Sequence, residues 1–267
     1  MDKALVSIIM PVHNGATSIG SAIESVLQQV HQEWELIVID NASKDDSAGI
    51  ARSFNDDRII VAQEERIGVA FARNKGLDLA RGSFICFLDA DDRLPESSLS
   101  SRLHLFARQE ALGAVDGQVI REGGAHQWSP KIKGDVLQNL LELNDGAFTG
   151  ITWMIKSEIV KHLRFNTALS HCEDLYFFIT CAKKGLQYDF VELPVYEVVG
   201  SEGSAMSQLR GLEEGYAQLL RLLEKDFTAL INIKELKQKV RRIMWRSYLK
   251  QGKVLPALRV FFSSLPS

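Results

Sequence analysis

Short apolar runs alternate with amphipathic stretches from the start of the chain. Val6-Ser7-Ile8-Ile9-Met10 is an apolar run that stops at the turn-rich Pro11-Val12-His13-Asn14-Gly15. From about Thr17, apolar residues recur at Ile19, Ala22, Ile23, Val26, Leu27 and Val30. That spacing predicts a helix, with Thr17 or Ser18 placed to cap it. Residues 34–39 predict a second strand ending at Asp40, and the loop 41–47 leads into a short helix. Residues 58–62 predict a third strand, 67–80 a loop and a helix, and 83–88 a fourth strand apolar on both faces. Strand–helix alternation at this pace predicts a parallel sheet with right-handed crossovers.

After Asp92 the rhythm changes. Helices are expected at 97–109 and 136–143, strands at 114–120 and 151–155, and residues 121–133 read as irregular. Ser157 is placed to cap a further helix. His171-Cys172-Glu173-Asp174 leads into the apolar run 175–179 and a helix closed by Gly185. Short strands are expected at 188–191 and 195–199. From 208 onward the chain reads as helical, with Leu212, Tyr216, Leu219, Leu220 and Leu223 on one face of a first helix. A second, near 233–250, has Leu236, Val240, Ile243 and Met244 on one side. Its other sides carry Lys237, Arg241, Arg242 and Arg246, with Trp245 and Tyr248. A last segment, 255–262, ends in two Phe. The expected organisation is an α/β domain over 1–205 and a helical appendage over 206–267, basic from 234.

Charge sharpens this division. The 267 residues carry a net charge of −3. Residues 234–262 hold nine Lys or Arg and one Glu, a net of +8, which leaves −11 on the remainder. A basic segment with interleaved aromatics suits an anionic membrane surface. It also suits a helical layer packed on the body or a dimer contact. The acidic body argues against nucleic acid as a partner. The three cysteines have no metal-type spacing, no signal-peptide pattern precedes the first strand, and no apolar run reaches the roughly 18 residues needed to span a bilayer. These features predict a reducing, cytoplasmic setting, peripheral on the inner membrane face if the basic segment binds lipid.

Chemistry gathers at the strand ends, where ligands bind in open α/β sheets. Asp89, Asp91 and Asp92 follow the fourth strand, and such carboxylates repel one another unless a cation joins them. Hard oxygen ligands of this kind suit Mg²⁺ or Mn²⁺ shared with substrate phosphates. Asp91 or Asp92 as a helix cap is the alternative. Asp40 stands where a base or ribose would lie, or simply forms a turn. There is no G-x-G-x-x-G after the first strand and no phosphate-binding P-loop.

Taken together, these pieces resemble the GT-A fold glycosyltransferases of family two. The matching text is Val6-Ser7-Ile8-Ile9-Met10-Pro11-Val12-His13-Asn14 and Glu35-Leu36-Ile37-Val38-Ile39-Asp40-Asn41-Ala42-Ser43 with Asp45. It continues with Gly68, Ala72-Arg73-Asn74-Lys75-Gly76, Phe87-Leu88-Asp89-Ala90-Asp91-Asp92 and Glu173-Asp174. The resemblance covers roughly residues 5 to 200. It implies a Rossmann-like, mixed but mostly parallel sheet flanked by helices. It also implies inverting transfer of a sugar from a nucleotide diphosphate, UDP favoured, to a glycan or lipid-linked acceptor.

By that resemblance, Pro11, Val12, His13 and Asn14 line the base pocket, with His13 where relatives usually have Tyr. Asp40 meets the base, Arg73 lies near the diphosphate, and Asp89 with Ala90 approaches the ribose. Asp91 ligates Mn²⁺ or Mg²⁺, and Asp92 orients the acceptor or the metal waters. Asp174 is the expected general base and Glu173 the second choice; both also suit the first turn of a helix. Many relatives carry a His after this pair, but residues 196–204 hold none. His171 is read as structural or acceptor-side. A nucleotidyltransferase and a non-catalytic nucleotide-sugar binding module are the competing functions.

Overall fold

The computed structural model describes residues 3–199 and 209–262. The expected boundary at 205/206 and the serine-rich turn after Gly200 lie outside the described residues. So do the side chains of the two terminal Phe.

The first half builds a parallel sheet. Its strands are β1 (Val6–Val12), β2 (Trp34–Asp40), β3 (Ile59–Gln63) and β4 (Phe84–Phe87), connected by α1 (Ile19–Leu27), α2 (Ser47–Ser53) and α3 (Val69–Leu79). Strand β1 pairs in parallel with both β2 and β4, and β2 with β3. Every residue of β1, β2 and β4 is buried. Side chains alternate across the pleat, so Ile9 joins one core while Ile8 and Met10 join the other. Apart from Asp40 at the end of β2, the polar exceptions are Ser7 and Glu35, which satisfy each other, because Ser7 Oγ donates to Glu35 Oε1 at 2.6 Å and Arg81 pairs with Glu35 at 2.7 Å.

The second half adds α4 (Ser98–Arg108), β5 (Leu112–Arg121), β6 (His126–Trp128), α5 (Leu137–Leu141), β7 (Met154–Lys156), α6 (Ser157–Val160), α7 (Glu173–Ala182) and β8 (Gln187–Val198). The sheet runs β3-β2-β1-β4-β7-β5-β6, with β8 beside β5. Strand β7 is antiparallel to both β4 and β5, so the sheet is mixed, as expected.

Several local expectations change. The stretch 121–133 contains β6, a hairpin partner of β5. Strand β7 begins at Met154, later than 151. The two short strands near 190 are one strand, β8, whose pairing with β5 shifts register around Gln118, opposite Pro194. Proline has no N–H for the ladder, so a register shift accommodates it. Lys156, not Ser157, holds the cap position of α6, and Ser97 that of α4, neither with a side-chain cap bond. Neither Asp91 nor Asp92 therefore caps α4. Val30 lies past the end of α1 and is exposed.

The last layer is α8 (Leu209–Asp226), α9 (Ile233–Lys250) and α10 (Val254–Phe262). Leu212, Leu219, Leu220 and Leu223 of α8 and Leu236, Val240 and Met244 of α9 join the same core as Phe177 and Phe178 of α7. The apolar stripes of these helices are thus spent on the body. Asn232 caps α9 by accepting from the Glu235 N–H. Among the described residues no helix is long and apolar enough to cross a membrane.

Candidate active site

The carboxyl ends of β1, β2 and β4 meet at one edge. Past β1, the loop 13–16 is laced to the loop 41–47. Asn14 N donates to Ser43 Oγ at 3.0 Å, Gly15 N to Ser47 Oγ at 2.9 Å, and Ala16 N to Asp45 Oδ2 at 2.9 Å. Asn14 and Ala42 both take left-handed backbone, which turns each loop sharply after its strand. Pro11 and Val12 are buried at the strand end, while His13 is exposed. A carbonyl can only accept, so the 2.6 Å contact to Asn41 O puts the proton of His13 on Nδ1. Its Nε2 then accepts from Asn14 Nδ2 at 3.0 Å.

Asp40 is buried, and its Oδ1 accepts from Ser43 N at 3.1 Å. Asn41, to which sequence reasoning gave no separate role, pins the edge together. Its amide donates to the carbonyls of Glu64 and Arg66 and accepts from Gly68 N at 2.8 Å, fixing the start of α3.

Arg73 on α3 is the junction of the site. It is 4% exposed, and it donates to Asp89 Oδ1 at 3.0 Å and to Glu173 Oε1 at 2.8 Å. Burial works to lower its pKa, but Asp89, Glu173 and Asp174 raise it further. One guanidinium therefore joins the acidic turn after β4 to the start of α7. The next residue, Asn74, pairs through both amide atoms with the backbone of Phe165, holding the segment before α7 against α3.

After β4, Asp89 is 37% exposed at its side chain, Ala90 is buried, Asp91 is half-buried and Asp92 is buried. Tyr196 on β8 reaches under this turn. Its hydroxyl accepts from Asp89 N at 3.2 Å and bonds Asp92, which also accepts from Val199 N. Sequence alone marked Tyr196 only as part of a strand. Burial, then Asp89 and Asp91, push Asp92 up to about 7. Three carboxylates crowded into one turn fit a cation. Among the described residues no three His, Cys, Asp or Glu are gathered to hold one by themselves. The donor set therefore fits a hard divalent ion held by one carboxylate and completed by ligand oxygens and water.

Glu173 and Asp174 open α7 after Cys172, which is left-handed. Burial raises both carboxyls, with Arg73 pulling the other way, and Glu173 reaches about 7. Glu173 is occupied by Arg73. Asp174 accepts from Leu175 N at 2.7 Å and has no ion-pair partner within 4 Å among the described residues. Tyr216 of α8 faces Cys172 and Asp174. His171 lies in a groove made by two glycines of α8, since a Cβ on Gly211 would meet its ring at 2.4 Å and one on Gly215 its Cβ at 2.6 Å.

Three comparisons bear on this geometry. The family model described as Glycosyl transferase family 2 matches residues 7–164. The Bacillus subtilis putative teichuronic acid biosynthesis glycosyltransferase TuaG is 36% identical over 43% of this chain and 47% of its own length. An uncharacterized glycosyltransferase of Haemophilus influenzae is 32% identical over 69% of this chain and 74% of its own. The Escherichia coli UDP-Glc:alpha-D-GlcNAc-diphosphoundecaprenol beta-1,3-glucosyltransferase WfgD is 46% identical over 34% of this chain and 37% of its own. The chain thus spans less than half the length of the first and third of these relatives.

Among solved structures, S. aureus TarS 1–349 in complex with UDP-GlcNAc superposes with a TM-score of 0.70 at 18% identity, covering 98% of this chain and 81% of that one. The mannosyltransferase PcManGT from Pyrobaculum calidifontis, in complex with GDP-Man and Mn²⁺, gives 0.66 at 19%, covering 98% and 76%. These likenesses show the fold, a mixed open sheet flanked by helices with helices at the C-terminal end.

Proposed function

This chain belongs to glycosyl transferase family 2, and from that premise we propose that it moves a hexosyl or N-acetylhexosaminyl group from a nucleotide-diphosphate sugar to a hydroxyl of a glycan or lipid-linked acceptor, with inversion at the anomeric carbon. A UDP-sugar is the favoured donor, in line with the UDP-Glc in the name of the Escherichia coli relative and the UDP-GlcNAc bound by TarS. The lipid-linked acceptor is supported by the diphosphoundecaprenol in the same relative's name. Residues 1–205 are the transferase domain in this reading and 206–267 its appendage.

The observation that carries the proposal is the Arg73 bridge. It ties Asp89, at the end of β4, to Glu173, at the start of α7. A donor-side acid and an acceptor-side acid pair, far apart in the chain, thereby share one junction. In the proposed arrangement the base rests on Pro11, Val12, His13 and Asn14, with Asp40 bonding its edge and Asp89 and Ala90 along the ribose. Asp91 holds Mn²⁺ or Mg²⁺, and Asp92 orients the acceptor or the ion's waters. When bound, such an ion neutralises the charge that develops on the leaving diphosphate.

The acceptor hydroxyl must lose its proton as it attacks from the face opposite the leaving group. Asp174 takes that proton. Asp174 has no ion-pair partner among the described residues, whereas Glu173 is committed to Arg73. Arg73 opposes the rise that burial gives both carboxyls. The basic segment 234–262 is read as a peripheral contact with the anionic inner membrane face, where a lipid-linked acceptor would be met.

Asp174→Asn tests this. Donor binding, read as a thermal shift with UDP and Mn²⁺, is expected to persist, while transfer falls by about 10²–10⁴-fold. Transfer at the wild-type rate would remove Asp174 as the base. A wild-type chain that binds donor but never transfers would make it a binding module.

A further inference from the structure

The corner between α9 and α10 is apolar where a surface is normally polar. Eight large apolar side chains stand exposed among the described residues, and four of them fall within ten positions. These are Leu249 at 40%, Val254 at 56%, Leu255 at 80% and Leu258 at 45%. Such clustering differs from the scattered single exposures that need no explanation. Helix α10 is apolar on both sides. Ala257 and Val260 are buried in the core shared with Met244 and Tyr248, while Val254, Leu255 and Leu258 lie on its open side. Apart from Arg259, α10 shows apolar residues on both its buried and its open side, which calls for a second apolar partner.

The rim of the corner decides what that something is. Arg246, Lys250 and Lys253 are exposed around the apolar residues. None of them has a carboxylate within ion-pair distance among the described residues. A second copy of the chain would bring an identical basic rim against this one, which opposes self-association. An anionic bilayer offers both an apolar interior and phosphate charge. By contrast, Leu236, Val240, Met244 and Tyr248 of α9 are already buried, so α9 does not offer its own stripe to lipid.

We propose that the α9–α10 corner is a membrane anchor. Leu249, Val254, Leu255 and Leu258 enter the headgroup–acyl boundary of an anionic bilayer, and Arg246, Lys250 and Lys253 meet the lipid phosphates. The turn is fixed for this task. Gly252 takes left-handed backbone, and Lys253 N donates to Tyr248 O at 2.9 Å. The corner is also braced toward the reaction site. Tyr248 and Arg259 both donate to Glu213, at 2.7 and 2.6 Å. Glu213 lies between Gly211 and Gly215, the two residues that seat His171, three positions before Asp174. The anchor rests on the membrane-borne acceptor proposed above for its purpose, but its test does not depend on transfer.

The experiment is flotation of the full chain with vesicles of phosphatidylcholine alone or with about a third phosphatidylglycerol, at about 0.05 and 0.5 M salt. Binding is expected on the anionic vesicles only, and weaker at high salt. Lys250→Glu with Lys253→Glu should lower the partition at least about twentyfold, since each basic residue near an anionic surface is worth roughly fivefold. Leu255→Asp with Leu258→Asp should abolish binding at both salts while leaving Tm unchanged. Their exposure makes both pairs tolerable to the fold. No flotation on anionic vesicles, or flotation indifferent to the two Leu→Asp changes, would overturn the anchor. So would a dimer, seen by light scattering, that the same changes dissolve while vesicles are ignored. Loss of transfer with flotation intact would count against the transferase reading alone.

Discussion

Replacing Arg73 by Met removes a guanidinium that touches both Asp89 and Glu173, and the structure sets the size of the effect. Arg73 and Glu173 are both buried, so their 2.8 Å contact is shielded from water. Removing one partner of a buried pair costs about 3–5 kcal/mol, because the other is left uncompensated. Asp89 adds little, since its partly exposed carboxylate can turn to solvent. For a chain of this length the loss corresponds to a fall of roughly 10 °C in Tm.

The pH dependence carries a sign. Glu173 already sits at about 7, raised by burial and by Asp174 against the pull of Arg73. Without Arg73 it rises further, while the unfolded side chain keeps its ordinary value of 4.5. The folded mutant then binds a proton that the unfolded chain releases, so its stability grows as pH falls toward that unfolded value. Urea unfolding at about pH 8 and pH 5.5 should show a smaller deficit at the lower pH. Adding Glu173→Gln to Arg73→Met should recover part of the loss at the higher pH, because an amide leaves no charge stranded. A deficit under about 1 kcal/mol at pH 8, equal deficits at both pH values, or no recovery from Glu173→Gln would refute the buried-junction account.

Gly215→Ala puts a methyl 2.6 Å from His171 Cβ and 2.9 Å from its carbonyl oxygen, so α8 must back away from the loop that leads to Asp174. A loss of about 1–3 kcal/mol in urea unfolding is expected, and an unchanged midpoint would show that the seam is slack. Tyr196→Phe strips Asp89 N–H of its buried acceptor and Asp92 of a hydroxyl. The cost is about 1–3 kcal/mol, and the thermal shift with UDP and Mn²⁺ should shrink; an identical shift would mean the acidic turn holds its shape without the hydroxyl.

The parallel half of the sheet was legible because β1, β2 and β4 are buried on both faces, which leaves unbroken apolar runs in the text. Strand β8 was read as two pieces because Pro194 breaks the local pattern, whereas its pairing with β5 absorbs the proline in a register shift that only the partner strand reveals. The site residues show the same divide. That Asp89 and Asp91 follow a strand is local information. That Arg73 grips Glu173, or that Asn74 clasps Phe165, depends on contacts across about a hundred positions, and no spacing rule reports them. Tyr196 carried no signal at all beyond strand propensity.

The C-terminal helices show why pattern alone leaves membrane and core undivided. An apolar stripe with a basic back satisfies either partner, and α9 spends its stripe on the body. What separates the two is which apolar residues remain in water once that packing is complete. By that criterion the anchoring signal moves from the amphipathic face of α9 to Leu249, Val254, Leu255 and Leu258. The basic residues that matter are then Arg246, Lys250 and Lys253, which have no ion-pair partner among the described residues, not Arg259, which Glu213 already neutralises. It follows that charge reversal at Lys250 and Lys253 should weaken vesicle binding far more than loss of Arg259, even though all three belong to the same basic segment.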